Sequence, residues 1–116
     1  MNVITLSGRI TTDPVLKSTT TGKAYAKFNV ATHRPISTQT GDKKTDFIPC
    51  ILWGQSAELF ASTVKKGHRI NVTGSMYADE YEKDGIKRTN YYVNVERFEY
   101  VENKPNTNSE PRTSKE

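Results

Sequence analysis

TDFIPCILWGQSAELFASTVKKGHRINVTGSMY, residues 45–77, reads as a strand, a helix and a second strand in direct succession. From Thr45 to Trp53, Ile48, Cys50 and Leu52 alternate with Phe47, Ile51 and Trp53, and a period of two puts the sets on opposite faces of a strand. Pro49 has no N–H to give to a ladder, which predicts an edge or a bulge at that point. The period then changes. Ala57, Phe60, Ala61 and Val64 recur at i, i+3, i+4 and i+7, one face of a helix. Ser56 is the expected N-cap, Glu58 lies near the positive end of the helix dipole, Lys65 and Lys66 meet the negative end, and Gly67 ends the helix. Period two returns at once, with Ile70, Val72, Gly74 and Met76 expected inward and Arg69, Asn71, Thr73, Ser75 and Tyr77 outward; Tyr81 extends the strand.

Two strands precede this stretch and one follows it. Ile4, Leu6, Gly8 and Ile10 alternate with Thr5, Ser7 and Arg9, and Asp13-Pro14 breaks the run. Ser18 to Lys23, with Gly22, reads as a turn. Ala24, Ala26, Phe28, Val30 and Thr32 then alternate with Tyr25, Lys27, Asn29, Ala31 and His33. Arg34 to Lys44 is a polar loop longer than a tight hairpin needs, and long loops on small scaffolds tend to carry function. Lys83-Asp84-Gly85 signals a hairpin turn, after which Asn90 to Tyr100 supplies the last strand. The expected fold class is therefore all-β with one helix. Three strands, a helix between strands three and four, then two strands is the order of the five-stranded OB barrel, in which strands two and three and the neighbouring loops form a binding face.

Composition sets the bounds. The 116 residues have room for one domain, expected over residues 1–101, with a disordered polar tail at 102–116 because that segment offers no apolar anchor. Apolar residues are 34% of the chain and mean hydropathy is −0.73, so the core is thin and association of copies is expected to supplement it. No apolar run approaches the roughly 18 residues of a membrane span, and no basic-then-apolar leader follows Met1, so a cytoplasmic, non-membrane protein is expected. Cys50 is the only cysteine, which excludes an intrachain disulfide, and its face, shared with Ile48 and Leu52, makes it a core residue. The net charge of +4 arises entirely in residues 1–100, where 14 basic residues face 10 acidic ones. A basic excess on a compact body favours a polyanionic partner.

Catalytic chemistry finds little footing. His33 and His68 are 35 residues apart, and neither a Gly-rich phosphate loop nor a nucleophile elbow is present. Asp79, Glu80, Glu82 and Asp84 crowd a hairpin without the spacing of a calcium loop. No enzyme activity, cofactor or metal is expected. The rival classes are an RNA-binding or cold-shock-like barrel and a barrel that binds mainly proteins.

Asn2-Val3-Ile4, Gly8-Arg9-Ile10-Thr11, Asp13-Pro14, Gly22, the strand from Phe28 to Thr32, Asp46-Phe47-Ile48, Trp53-Gly54, Ala57-Glu58, Lys66-Gly67, Val72-Thr73-Gly74 and Tyr81 resemble, in order, the bacterial single-stranded DNA-binding protein family. The resemblance covers residues 1 to about 100. It implies an OB fold, a homo-oligomer (a tetramer favoured, a dimer possible), and a role shielding single strands in replication, recombination and repair.

Binding of that kind needs cations to replace counterions along the phosphates and flat aromatic faces on which bases stack. Phe47 and Trp53 share strand parity, as do Tyr77 and Tyr81, and these four are the stacking candidates. The resemblance places Phe47, Trp53 and Tyr81 at stacking positions and Lys66 near the path of the strand. Lys27, Arg34, Lys43, Lys44, Arg69, Lys83, Lys87 and Arg88 are expected on outward faces or loops as phosphate contacts, with Lys66 beside them. Read from the residues alone, Trp53 is either a platform or a core residue, and the hairpin cations either touch DNA or are solvated. Tyr25, Tyr91, Tyr92 and Phe98 read as packing or subunit-interface residues. The chain also departs from the family. Ile36 stands where an aromatic is common; Tyr77 and Asp79, with Glu80 and Glu82, occupy a stretch where arginine is common. The end, Arg112 to Glu116, lacks the acidic tip with a terminal Phe that recruits partner enzymes, as expected of a phage- or mobile-element-encoded member.

Overall fold

The computed structural model describes residues 1–35, 39–41 and 44–102. Six strands and one helix follow in the order β1 (Ile4–Ile10), β2 (Val15–Ser18), β3 (Ala24–His33), β4 (Thr45–Trp53), α1 (Gln55–Thr63), β5 (Arg69–Lys83) and β6 (Ile86–Glu102). They form one sheet in the order β1-β5-β6-β4-β3-β2. Pairing of Arg9 with Ala31 and Ile10 with Val30 joins β1 to β3 and closes five strands into a ring, with β2 outside it on β3. This is the OB barrel, and α1 sits between its third and fourth strands, β4 and β5.

The alternating faces account for the core. Ala26, Phe28 and Val30 of β3, Cys50 and Leu52 of β4, Ile70 and Val72 of β5 and Val93 and Val95 of β6 are buried together. The helix adds Ala57 and Phe60 to the same core, and Val64, its C-cap, joins them. The Phe60 ring lies 4.3 Å from that of Phe28 and meets Phe98 edge-on at 4.9 Å; truncating a phenylalanine so enclosed costs about 3–5 kcal/mol. Cys50 is buried, as its neighbours imply, and burial pushes its thiol pKa up to about 12. Two glycines permit the close approaches of the ring. A Cβ on Gly8 would collide with the Ala31 carbonyl, and one on Gly74 with the Asn94 carbonyl.

Several local expectations change. The helix starts at Gly54 (φ 72°) without a side-chain cap, so Ser56 is not the N-cap, and it ends at Thr63, before Lys65, Lys66 and Gly67. Pro49 causes no bulge: the β3–β4 register runs unbroken from Tyr25↔Trp53 to His33↔Thr45. On its other side β4 pairs with β6 only at Cys50 and Ile51, so Pro49 is at an open edge there, where a missing N–H costs nothing. Met76, expected inward, is exposed, because β5 and β6 run on beyond the barrel as a long hairpin. Asp84 and Gly85 turn that hairpin, both with positive φ, as the Asp-Gly signal predicts. Between Thr73↔Arg97 and Gly74↔Val95 the ladder skips Glu96, a bulge that moves the inward set of β6 from Val93 and Val95 to Phe98.

Candidate functional site

The outer face of β3 and β4 is the floor of a cleft of about 610 Å³, and the β5–β6 hairpin is its wall. Register builds the floor: Tyr25 lies opposite Trp53, Lys27 opposite Ile51, Asn29 opposite Pro49 and Ala31 opposite Phe47. The Tyr25 and Trp53 rings are 5.3 Å apart and tilted by 42°. The Lys23 ammonium lies 4.8 Å from the centroid of the Trp53 ring, a cation–π contact. Phe47 continues the same face toward the hairpin end of β3 and β4, 61% exposed. Outside β3, Lys17 of β2 pairs with Tyr25 and extends the floor by one more cation.

Asp79, Asn90 and Tyr92 line the cleft from the hairpin side. Tyr77, Asp79 and Tyr81 alternate on one face of β5, opposite Tyr92, Asn90 and Arg88 of β6. The Tyr77 and Tyr92 rings are 5.6 Å apart, and Tyr77 and Tyr81 are 41% and 47% exposed. The Tyr92 hydroxyl donates to Asp79 Oδ2 at 2.7 Å, and that bond, with burial, pushes the phenol pKa up to about 12.

The structure thus gathers Lys27 and Trp53 in the cleft and sets Phe47, Tyr77, Tyr81 and Arg88 on the faces that continue it. Lys83 shares the face of Tyr81 at the hairpin tip, whereas Lys87 is on the opposite face, paired with Glu82. Arg34 is engaged elsewhere: its Nε and Nη2 donate to the two Asp46 carboxylate oxygens at 2.8 and 3.0 Å, which holds the Asp46 carboxyl below the usual carboxylate range. Lys44 is exposed at the same hairpin end, its carbonyl accepting from the Arg34 N–H. Lys66 follows the helix, tethered by its backbone N–H to Asp13, next to Thr12 of the cleft lining. Arg69 starts β5 between Arg9 and Glu102, ten residues from Asp79, and is not brought to the cleft. Lys43, Ile36 and residues 103–116 lie outside the described residues.

Sequence reasoning missed Lys23, Tyr25, Asn29, Asn90 and Tyr92 as cleft residues. Parity already put Tyr25 and Asn29 on the face of Lys27. The register that sets Tyr25 against Trp53 could not be read, because the loop between their strands fixes no offset. Among the described residues no group of three His, Cys, Asp or Glu gathers as a metal site, and no helix is long and apolar enough to cross a membrane.

Known proteins match along the whole barrel. The single-strand binding protein family matches residues 1–101. A single-stranded DNA-binding protein of Fusobacterium nucleatum is 35% identical over 98% of this chain and 75% of its own length. One from Oceanobacillus iheyensis is 41% identical over 82% of this chain and 58% of its own, and single-stranded DNA-binding protein 3 of Listeria innocua is 37% identical over 91% and 67%. With the barrel order, the ring closure and a match that spans β1 to β6, the chain belongs to the single-strand binding protein family.

Proposed function

We propose that this chain binds single-stranded DNA with no required sequence, as a binding protein rather than an enzyme, and shields it in replication, recombination and repair in the bacterial cytoplasm. The observation that carries this reading is the cleft, where a half-buried aromatic floor and cations lie together on one outer face. Trp53 and Tyr25 offer stacking surface that every base can use, and Lys17, Lys23 and Lys27 stand where phosphates of the same strand would pass. The names of the relatives support it. Phe47, Tyr77 and Tyr81 extend the stacking track and Lys44, Lys66, Lys83 and Arg88 its cationic flanks; assembly as a homo-oligomer, a tetramer first, would join several such clefts.

Competition tests the reading. A labelled oligo-dT bound to the chain should be displaced by unlabelled oligo-dT at far lower concentration than by duplex DNA of the same sequence or by matched RNA. Equal displacement by RNA would favour an RNA-binding barrel, and no capture of oligo-dT at all would leave a protein-binding barrel.

A further inference from the structure

The cleft wall carries a group that a phosphate-binding groove does not call for. Asp79 lines the cleft beside Asn90 and Tyr92, and a carboxylate in the path of a polyanion weakens binding unless the ligand brings it a donor. The Tyr92 hydroxyl holds Asp79 Oδ2 at 2.7 Å. With its pKa pushed up to about 12, the phenol remains a neutral donor that orients the carboxylate without cancelling its charge. An ionised carboxylate accepts about four hydrogen bonds, so Tyr92 leaves most of that capacity open.

We infer that Asp79 reads the pairing edge of one base stacked on the Tyr25–Trp53 floor, and that guanine is the base it selects. The inference rests on the reading of the cleft as a single-stranded DNA site. Guanine presents N1–H and its 2-amino group side by side, two parallel donors that match the two oxygens of a carboxylate. Adenine and cytosine each present one amino group next to a ring-nitrogen acceptor. Thymine presents N3–H between two carbonyls, which repel a carboxylate. Asn29 and Asn90 carry both a donor and an acceptor and line the same cleft, so the remaining contacts tolerate any base. The result is a tolerant groove with one biased position.

The test uses the full chain and oligo-dT strands of one length in which regularly spaced bases are thymine, guanine or hypoxanthine, the spacing preventing guanine quadruplexes. The guanine strand should bind about fivefold tighter than the all-thymine strand, or about 1 kcal/mol, the low end for one bidentate base contact. The hypoxanthine strand, which lacks the 2-amino group, should fall between. Asp79→Asn keeps an acceptor for Tyr92 but turns one oxygen into a donor, so it should tighten the all-thymine strand by removing repulsion and abolish the guanine preference. Tyr92→Phe, which frees the Asp79 carboxylate from its fixed orientation, should lower the guanine-to-thymine ratio. Equal affinity of the wild-type chain for all three strands, or an Asp79→Asn variant that tightens all of them with the ratio intact, overturns this inference alone. A wild-type chain that binds none of them overturns the proposed function, and this inference with it.

Discussion

Trp53 has the Tyr25 ring at 5.3 Å and the Lys23 ammonium 4.8 Å from its centroid, so in the free protein a cation already occupies part of its π face. On the proposed function a base stacking there displaces Lys23, whose charge then meets the backbone of the same strand. Substituting Trp53 or Phe47 by Ala should weaken oligo-dT binding by about 1–3 kcal/mol per lost stack, read by titration. Phe47→Ala should leave the melting temperature almost unchanged, because that ring is 61% exposed. An unchanged affinity in both folded variants would remove these rings from the binding face. Cys50 gives a second test at this scale. Its thiol is buried and its pKa pushed up to about 12, so at pH 8 a thiol-specific reagent should fail to label the folded chain and label it fully in denaturant. Rapid labelling of the native chain would contradict its place in the core. At Trp53 the sequence left two readings open because parity assigns a face but not what covers it. The β3–β4 register and Lys23 show what lies beside the ring: Tyr25 across the ladder and an ammonium near its centroid.

Among the elements, those with a buried face were legible. The inward sets of β1, β3 and β4 and the apolar side of α1 follow from alternation and helical periodicity, and they meet in one core. β2 was missed for a physical reason: Val15 to Ser18 are all exposed, so no alternation marks them, and the strand exists through its pairing with β3. The change of face in β6 was hidden as well, since a bulge at Glu96 is a property of the ladder with β5. The helix start yields a paired prediction. Ser56→Ala should change stability by less than about 0.5 kcal/mol, whereas loss of a true N-cap costs about 1 kcal/mol. Gly74→Ala, which sets a Cβ against the Asn94 carbonyl, should destabilise by about 1–3 kcal/mol or more. Chemical denaturation of both variants checks the pair: a loss of about 1 kcal/mol in Ser56→Ala would mean that Ser56, not Gly54, starts the helix, and an unaffected Gly74→Ala would contradict the close approach to Asn94.

At the scale of the whole molecule, a thin core is closed into a ring and one long hairpin projects from it, so that a single outer face carries rings and cations past the barrel's edge. The basic excess in residues 1–100 pointed to a polyanion. It did not say which cations serve: of the candidates, Lys27 lies in the cleft, Arg34 is bound to Asp46 and Arg69 lies away from it. Lys23, which the sequence did not single out, lies on Trp53. Replacing Lys23 and Lys27 together by Gln should therefore flatten the salt dependence of binding by about 1.4 in the slope of log affinity against log salt, at about 0.7 per phosphate neutralised on a single strand. The same change made at Arg69 and Lys87 should leave the slope nearly unaltered. Trp53 is the only tryptophan, so its fluorescence reports the cleft without a label. The most direct measurement is a titration of that fluorescence with oligo-dT at several salt concentrations. Binding in the cleft should give saturable quenching whose affinity falls linearly with log salt; binding detected by mass or mobility while the Trp53 signal stays unchanged would place the strand elsewhere on the protein.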